Sequence, residues 1–156
     1  MGKKLLSIII PCYNEEKTVE TIYVAITDTM DMLPQYDYEI LFVTGTSSYK
    51  EISKNKFPNN VHVVPYVENM TRIMKKTDIM ISRAGASTLS EIIALKIPSI
   101  LIPSPYVTDN HQYKNAMDLI NKEAALLIEE KDLKGDILVR TVDQLLNNQN
   151  KIKKKK

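Results

Sequence analysis

The stretch "ISRAGASTLSEIIAL", residues 81–95, carries groups whose spacing suits ligand chemistry. An apolar run ends at Ser82-Arg83-Ala84, turns at Gly85 and becomes a helix-like pattern. A glycine there lets backbone approach a ligand closely. The N–H groups of Ala86, Ser87 and Thr88 open the helix. Unsatisfied donors and about half a positive charge at such an end suit a phosphate or diphosphate. Ser87 and Thr88 add hydroxyls, and Glu91, one turn on, is placed to accept two ribose hydroxyls. The same residues also read as a tight turn at Gly85, an N-cap at Ser87 or Thr88 and a solvated Glu91. Spacing alone does not separate the two readings.

Other chemistry is disfavoured. The four glycines, Gly2, Gly45, Gly85 and Gly135, form neither GxGxxG nor GxxxxGK[ST]. Rossmann dinucleotide binding and P-loop hydrolysis are therefore not expected. Cys12 is the only cysteine, so neither a disulfide framework nor a cysteine metal cluster is expected. No Asp-x-Asp occurs, and no metal or cofactor is expected. His62 reads as a strand residue, and the Ser, His and Asp positions make no nucleophilic triad.

The elements that must hold these groups alternate regularly. Apolar runs at "LLSIII" (5–10), "YEILFVT" (38–44), "VHVVPY" (61–66), "DIMIS" (78–82), "PSILIP" (98–103) and "AALLIEE" (124–130) read as six strands. "LLSIII" is continuous, the mark of a strand buried on both faces. Helical patterns separate the strands. The first has a stripe of Val19, Ile22, Tyr23, Ile26, Met30 and Leu33, with Asn14 as its expected N-cap. "GDILVRTVDQLLNN" closes the chain. The expected fold class is α/β, a Rossmann-like doubly wound six-stranded parallel sheet in the order 3-2-1-4-5-6. Ligands then belong at the carboxyl ends of the strands, at "PCYNEE", "SRAGAST" and "SPYVTDNHQ".

With 156 residues and 44% hydrophobic content, one domain over 1–150 is expected, followed by a lysine-rich tail at 151–156. The net charge of +2 owes much to the terminal "KIKKKK", so nucleic acid is not an expected partner. The tail reads as a solvated end that also suits peripheral contact with anionic lipid. With no membrane-length apolar run and no secretory pattern, a cytoplasmic location is expected.

The run from "VHVVPYVENMTRIMKKTDIMISRAGASTLSEIIALKIPSILIPSP" to "YVTDNHQYKNA" closely resembles the C-terminal, donor-binding domain of the MurG family. The resemblance begins near "FVTGTSSYKEI" and continues through "LIEEKDL". That family transfers GlcNAc from UDP-GlcNAc to the muramyl-pentapeptide lipid of peptidoglycan synthesis, and its donor domain has the GT-B type of fold. The resemblance implies a UDP-GlcNAc or UDP site. Val67 would present backbone to the uracil, with Tyr66 and Met70 lining that pocket. Glu91 would hold the ribose hydroxyls, and Gly85, Ala86, Ser87 and Thr88 would meet the diphosphate and sugar. His111 and Gln112 would face the GlcNAc hydroxyls, supported by Asn115. Packing is the plain alternative for Tyr66 and Met70, and a helix-surface amide for Asn115.

The first third, "SIIIPCYNEEKTVETI" then "YDYEILFV", resembles the opening of a family-2, GT-A-type glycosyltransferase. A fusion near Val43, engineered or recombined, is the preferred account, with 1–43 from one class and 44–150 from the other; a divergent natural protein is the alternative. The MurG family has a Gly-Gly-Ser loop where this chain has "PCYNEE", which would bring Glu15 and Glu16 toward a diphosphate. Pro11, Tyr13 and Glu15 resemble a uridine-contacting motif of the GT-A class, but also read as a strand end, a surface aromatic and a helix-start acid. No catalytic residue is assigned, because the base and acceptor surface belong to the other domain of the family. The expected role is donor binding without catalysis. The alternatives are one subunit of an active transferase with a membrane-associated acceptor partner, or a fold with no ligand.

Overall fold

The computed structural model describes residues 3–12 and 18–153, with side chains through residue 146. The chain divides into two compact units, residues 1–68 and 69–156. Val43, where a fusion was expected, lies inside the first unit at the end of a strand.

The first unit has strands β1 (Lys4–Pro11), β2 (Tyr36–Val43) and β3 (Val61–Val64), and helices α1 (Val19–Asp31) and α2 (Gly45–Ile52). The strands are parallel in the order β1-β2-β3, with Ile8 beside Ile40 and Phe42 beside Val63. Cys12, Val19, Ile40, Phe42, Ile52 and Val61 form the buried core. Ile8 and Ile10 pack against it, as do Ile22, Tyr23 and Ile26 from the expected α1 stripe. The Phe57 ring meets Tyr23 edge-on at 5.3 Å.

β1 corrects one expectation. Its residues alternate between half-buried and exposed rather than being buried throughout. Leu6, Ile8 and Ile10 are partly covered, whereas Leu5 and Ile9 are 58% and 36% exposed. An apolar strand registers its covered face only where another element lies over it, and here one face is packed. Asn14, the expected cap, lies outside the described residues, as do Tyr13, Glu15 and Glu16. Thr18 precedes the described start of α1.

The second unit has strands β4 (Met80–Ser82), β5 (Ser99–Leu101) and β6 (Ala125–Leu127), again parallel and in chain order. Its helices are α3 (Met70–Met74), α4 (Ala86–Leu95), α5 (His111–Ile120) and α6 (Gly135–Lys153). The alternation of β5 divides its core. Leu101 packs with Ala84, Leu89, Ile92, Ala116 and Leu119, on the α4 and α5 side. Ile100 and Ile102 pack with Ile128 and Leu145, joined by Ile137, Leu138 and Val142 of α6. A strand with every residue buried is thus covered by helices on both faces. Lys96, left-handed at φ 53°, ends α4 and turns the chain toward Ile97-Pro98 and β5. Helix α6 reaches Lys153, past the expected start of the tail.

Each unit carries half of the expected strand order, 3-2-1 in one and 4-5-6 in the other.

Candidate functional site

The three strands of the second unit end level with one another. Ser82 pairs with Leu101, and Leu101 with Leu127. The Ile102 N–H then donates to Ser82 C=O at 2.9 Å, and the Ile128 N–H to Leu101 C=O at 3.0 Å. Three loops therefore leave the same sheet edge: the Gly85 turn, residues 103–110 and residues 128–134. In an open parallel sheet this is the edge that receives ligands.

At the first loop, Gly85 is the N-cap of α4, with extended backbone (φ −69°, ψ 144°) and no side-chain capping bond. The capping alternative for Ser87 or Thr88 is therefore corrected: both lie inside the first turn, too late to cap it. The Leu89 N–H makes the first helical bond, to Gly85 C=O at 2.9 Å. The amides of Ala86, Ser87 and Thr88 precede that ladder. Ser87 is exposed and Thr88 half-buried. Glu91 is exposed, four residues after Ser87 and three after Thr88, so all three share one helix face. The chain thus aligns amides, hydroxyls and a carboxylate along one stripe. Just before the turn, Ser82 Oγ is the one buried side-chain oxygen without a hydrogen-bond partner among the described residues.

The second loop ends in a 3-10 turn at Thr108–Asn110, with Asp109 and Asn110 both left-handed (φ 55° and 51°). His111 Nδ1 lies 2.8 Å from Thr108 C=O. A carbonyl only accepts, so Nδ1 carries the proton toward Thr108, which leaves Nε2 as the ring nitrogen for other partners. Gln112 Oε1 accepts from Ser104 N–H at 3.0 Å, which leaves its NH2 as the donor for anything else. Asn115 is half-buried and follows Gln112 by three residues, on the same face of α5.

Tyr66 and Val67 follow β3 in the first unit; Met70 and the later candidates belong to the second. Tyr66 is 71% exposed, so packing does not explain it. Met70 packs against the core that includes Met74 and Leu89, as its plain alternative expected. His62 is an exposed residue of β3, and Pro11 ends β1 beside Val43.

Three residues escaped the sequence reading as site elements. Arg83 Nη1 donates to Ile102 C=O at 3.2 Å and to Glu130 Oε2. Ser104 orients Gln112 through its amide. Arg83 had a visible signal, its place in the strand-to-turn motif; Glu130 had none, lying 47 positions away. Beside it, Lys131 contacts Glu129 at 3.0 Å. The hydrogen bond and negative charge of Glu129, helped by Asp132, hold the Lys131 ammonium above its ordinary pKa. No group of His, Cys, Asp and Glu suited to a metal occurs among the described residues. No helix among them is long and apolar enough to cross a membrane.

Solved glycosyltransferases share this architecture. The structure resembles MurG of Acinetobacter baumannii with TM-score 0.61 at 21% identity, covering 96% of this chain and 42% of that one. It resembles the glycotransferase of kitacinnamycin with TM-score 0.60 at 15% identity, covering 97% and 37%. The class is a Rossmann-like α/β domain of the GT-B donor type. The chain belongs to the Glycosyltransferase family 28 C-terminal domain family, which it matches over residues 7–156.

Among curated relatives, the UDP-N-acetylglucosamine–N-acetylmuramyl-(pentapeptide) pyrophosphoryl-undecaprenol N-acetylglucosamine transferase of Pediococcus pentosaceus is 40% identical over 141 residues, 88% of this chain and 39% of that protein. The same-named enzyme of Leuconostoc mesenteroides is 43% identical over 131 residues, 82% and 36%. The chain thus spans well under half the length of these relatives. The family match also takes in residues 7–43, so the comparisons give no support to a fusion near Val43.

Proposed function

We propose that this chain is the UDP-GlcNAc-binding domain of a GlcNAc transferase of the MurG type. The observation that carries the reading is the start of α4, which lacks a side-chain cap and has Ser87, Thr88 and Glu91 on one face. The amides of Ala86, Ser87 and Thr88 receive the diphosphate, where fixed N–H dipoles replace its lost water. Glu91 accepts the ribose hydroxyls as a charge-assisted pair. His111 Nε2 and the Gln112 amide NH2 face the GlcNAc hydroxyls. Met70 serves the uracil, and Asn115 supports Gln112.

Each unit contributes a three-stranded parallel sheet in chain order. The general base and the lipid-linked acceptor site come from polypeptide outside these residues, in the same chain or a membrane-associated partner, on the cytoplasmic side. The names and lengths of the curated relatives support that division.

Calorimetric titration with UDP-GlcNAc and with UDP is the test. Saturable one-to-one binding of both, in competition, is expected. Absence of heat and of amide shifts with either ligand at millimolar concentration overturns the proposal.

A further inference from the structure

After the buried Pro103, the loop to residue 110 is mostly exposed. Tyr106 is 86% exposed. Between this loop and the one after β6 lies an open hollow of about 140 Å³, lined by Pro103, Pro105, Asn110 and Tyr113 on one side and Glu129 and Glu130 on the other. Across this hollow, interlocked side chains do not set the spacing of the two loops. The loop also contains two successive left-handed non-glycine residues, Asp109 and Asn110, a conformation with a backbone cost that other contacts must offset. Hydrogen bonds supply those contacts: Ser104 N–H to Gln112 Oε1, His111 Nδ1–H to Thr108 C=O, and Arg83 at the root of the loop.

Arg83 differs from the other two because it ties all three loops together. It leaves the end of β4, donates to Ile102 C=O beyond β5, and pairs with Glu130 beyond β6. Its side chain is 51% exposed and that of Glu130 27%. A pair this wet adds little to global stability. Its physical effect is to link the loops that leave β4, β5 and β6 just beyond the last ladder hydrogen bonds.

We propose that Arg83 and Glu130 form a strut that positions the 103–110 loop, and through it Gln112 and His111, for the sugar end of a nucleotide-sugar donor. The inference rests on the donor-binding reading above and assigns positioning roles that need no contact with the ligand. The strut selects for the hexose: when it is removed, the nucleotide half still binds, because the α4 start and Glu91 do not depend on it.

The test uses Glu130→Ala, Glu130→Gln, Arg83→Ala and the double variant Arg83→Ala/Glu130→Ala. Affinities for UDP-GlcNAc and UDP are measured alongside amide hydrogen exchange. A half-exposed pair that acts without touching the ligand can pass on only its own modest contribution, so Glu130→Ala is expected to weaken UDP-GlcNAc by about three- to fivefold. UDP affinity should stay within about twofold, and Glu130→Gln should restore most of the loss because a neutral acceptor remains. The double variant should bind UDP-GlcNAc no worse than the weaker single one, the mark of two groups acting as a unit. If Arg83→Ala weakens UDP and UDP-GlcNAc equally while Glu130→Ala changes neither, Arg83 serves the diphosphate directly and the strut is wrong. Exchange of the Ser104 amide gives a readout without ligand: it should quicken in Glu130→Ala, and an unchanged rate overturns the strut. Should the parent protein bind neither nucleotide, donor binding fails, and the Ser104 exchange rate still decides the strut.

Discussion

Two segments of this chain follow the same short pattern and end in different roles. Gly45-Thr46-Ser47-Ser48-Tyr49-Lys50-Glu51 follows β2, and Gly85-Ala86-Ser87-Thr88-Leu89-Ser90-Glu91 follows β4. Each puts a glycine at a strand-to-helix turn, hydroxyls in the first helical turn and a glutamate six residues after the glycine. At the first, the protein uses its own polar groups. Thr44 is fully buried, and its hydroxyl lies 3.0 Å from Gly45 C=O and 3.3 Å from Val64 C=O. Ser48 is buried too. Gly45 is left-handed at φ 73°, a turn that needs glycine. At the second, Gly85 has an ordinary φ and Thr88 is only half-buried where Ser48 is buried, while Ser47 and Ser87 are both exposed and neither helix start has a side-chain cap. A pattern of residue types therefore marks a helix start; what separates the two is the conformation of the glycine and how deeply the hydroxyl three residues on is buried.

The largest expected difference lies in the glutamates. Glu91→Ala should weaken UDP-GlcNAc about ten- to a hundredfold, the loss of roughly 1.5–3 kcal/mol for a charge-assisted acceptor, with the melting temperature unchanged. Glu91→Gln should be milder. Glu51→Ala should leave binding as it was, and calorimetry of the three variants checks the contrast. If Glu91→Ala binds as the parent does, the two segments are alike after all. If it unfolds the protein, Glu91 is structural.

The glycines should behave in the opposite sense. Gly45→Ala forces a Cβ into the left-handed region, costing about 1–2 kcal/mol, and should lower the melting temperature by several degrees. At Gly85 an added Cβ has Thr88 Oγ1 as its nearest neighbour at 4.0 Å and an unstrained φ. Gly85→Ala should therefore melt with the parent yet bind UDP-GlcNAc less tightly, because a methyl group stands where a diphosphate approaches. Equal melting of the two variants would remove the distinction.

The smallest effect separates the threonines. Thr44→Val keeps the volume and removes the buried hydroxyl bonds, which should cost about 0.5–1.5 kcal/mol in a urea melt. Thr88→Ala should leave that melt within about 0.5 kcal/mol, as for a side chain away from buried networks. A shift of similar size in both would show that the α4 hydroxyl is also part of the fold.

Much of the architecture was legible because apolar runs and helical stripes alternate in a fixed rhythm. "PSILIP" and "AALLIEE" became β5 and β6, and the Val19, Ile22, Ile26 stripe became the inner face of α1. What covers each face was not legible. "LLSIII" and "PSILIP" look alike as runs, yet Ile100 is fully buried and Ile9 is not, because packing is set by elements distant in the chain. In the candidate site, the α4 stripe could be read from helical spacing alone. Glu130 could not, since a partner 47 positions away has no local period to reveal it. Nor could the fixed donor end of Gln112, which depends on one backbone amide in a loop.

The strand order has a further consequence, for how the chain comes together in time. In each sheet every strand pairs only with the strand before or after it in the chain. Within each of these sheets no strand waits for a partner made two or three elements later, so each closure spans a single strand–helix–strand segment and has a modest entropic cost. A chain emerging amino terminus first therefore has β1, β2 and β3 complete before β4 exists. That unit can gather its Phe42 and Ile40 core while the second unit is still being synthesised.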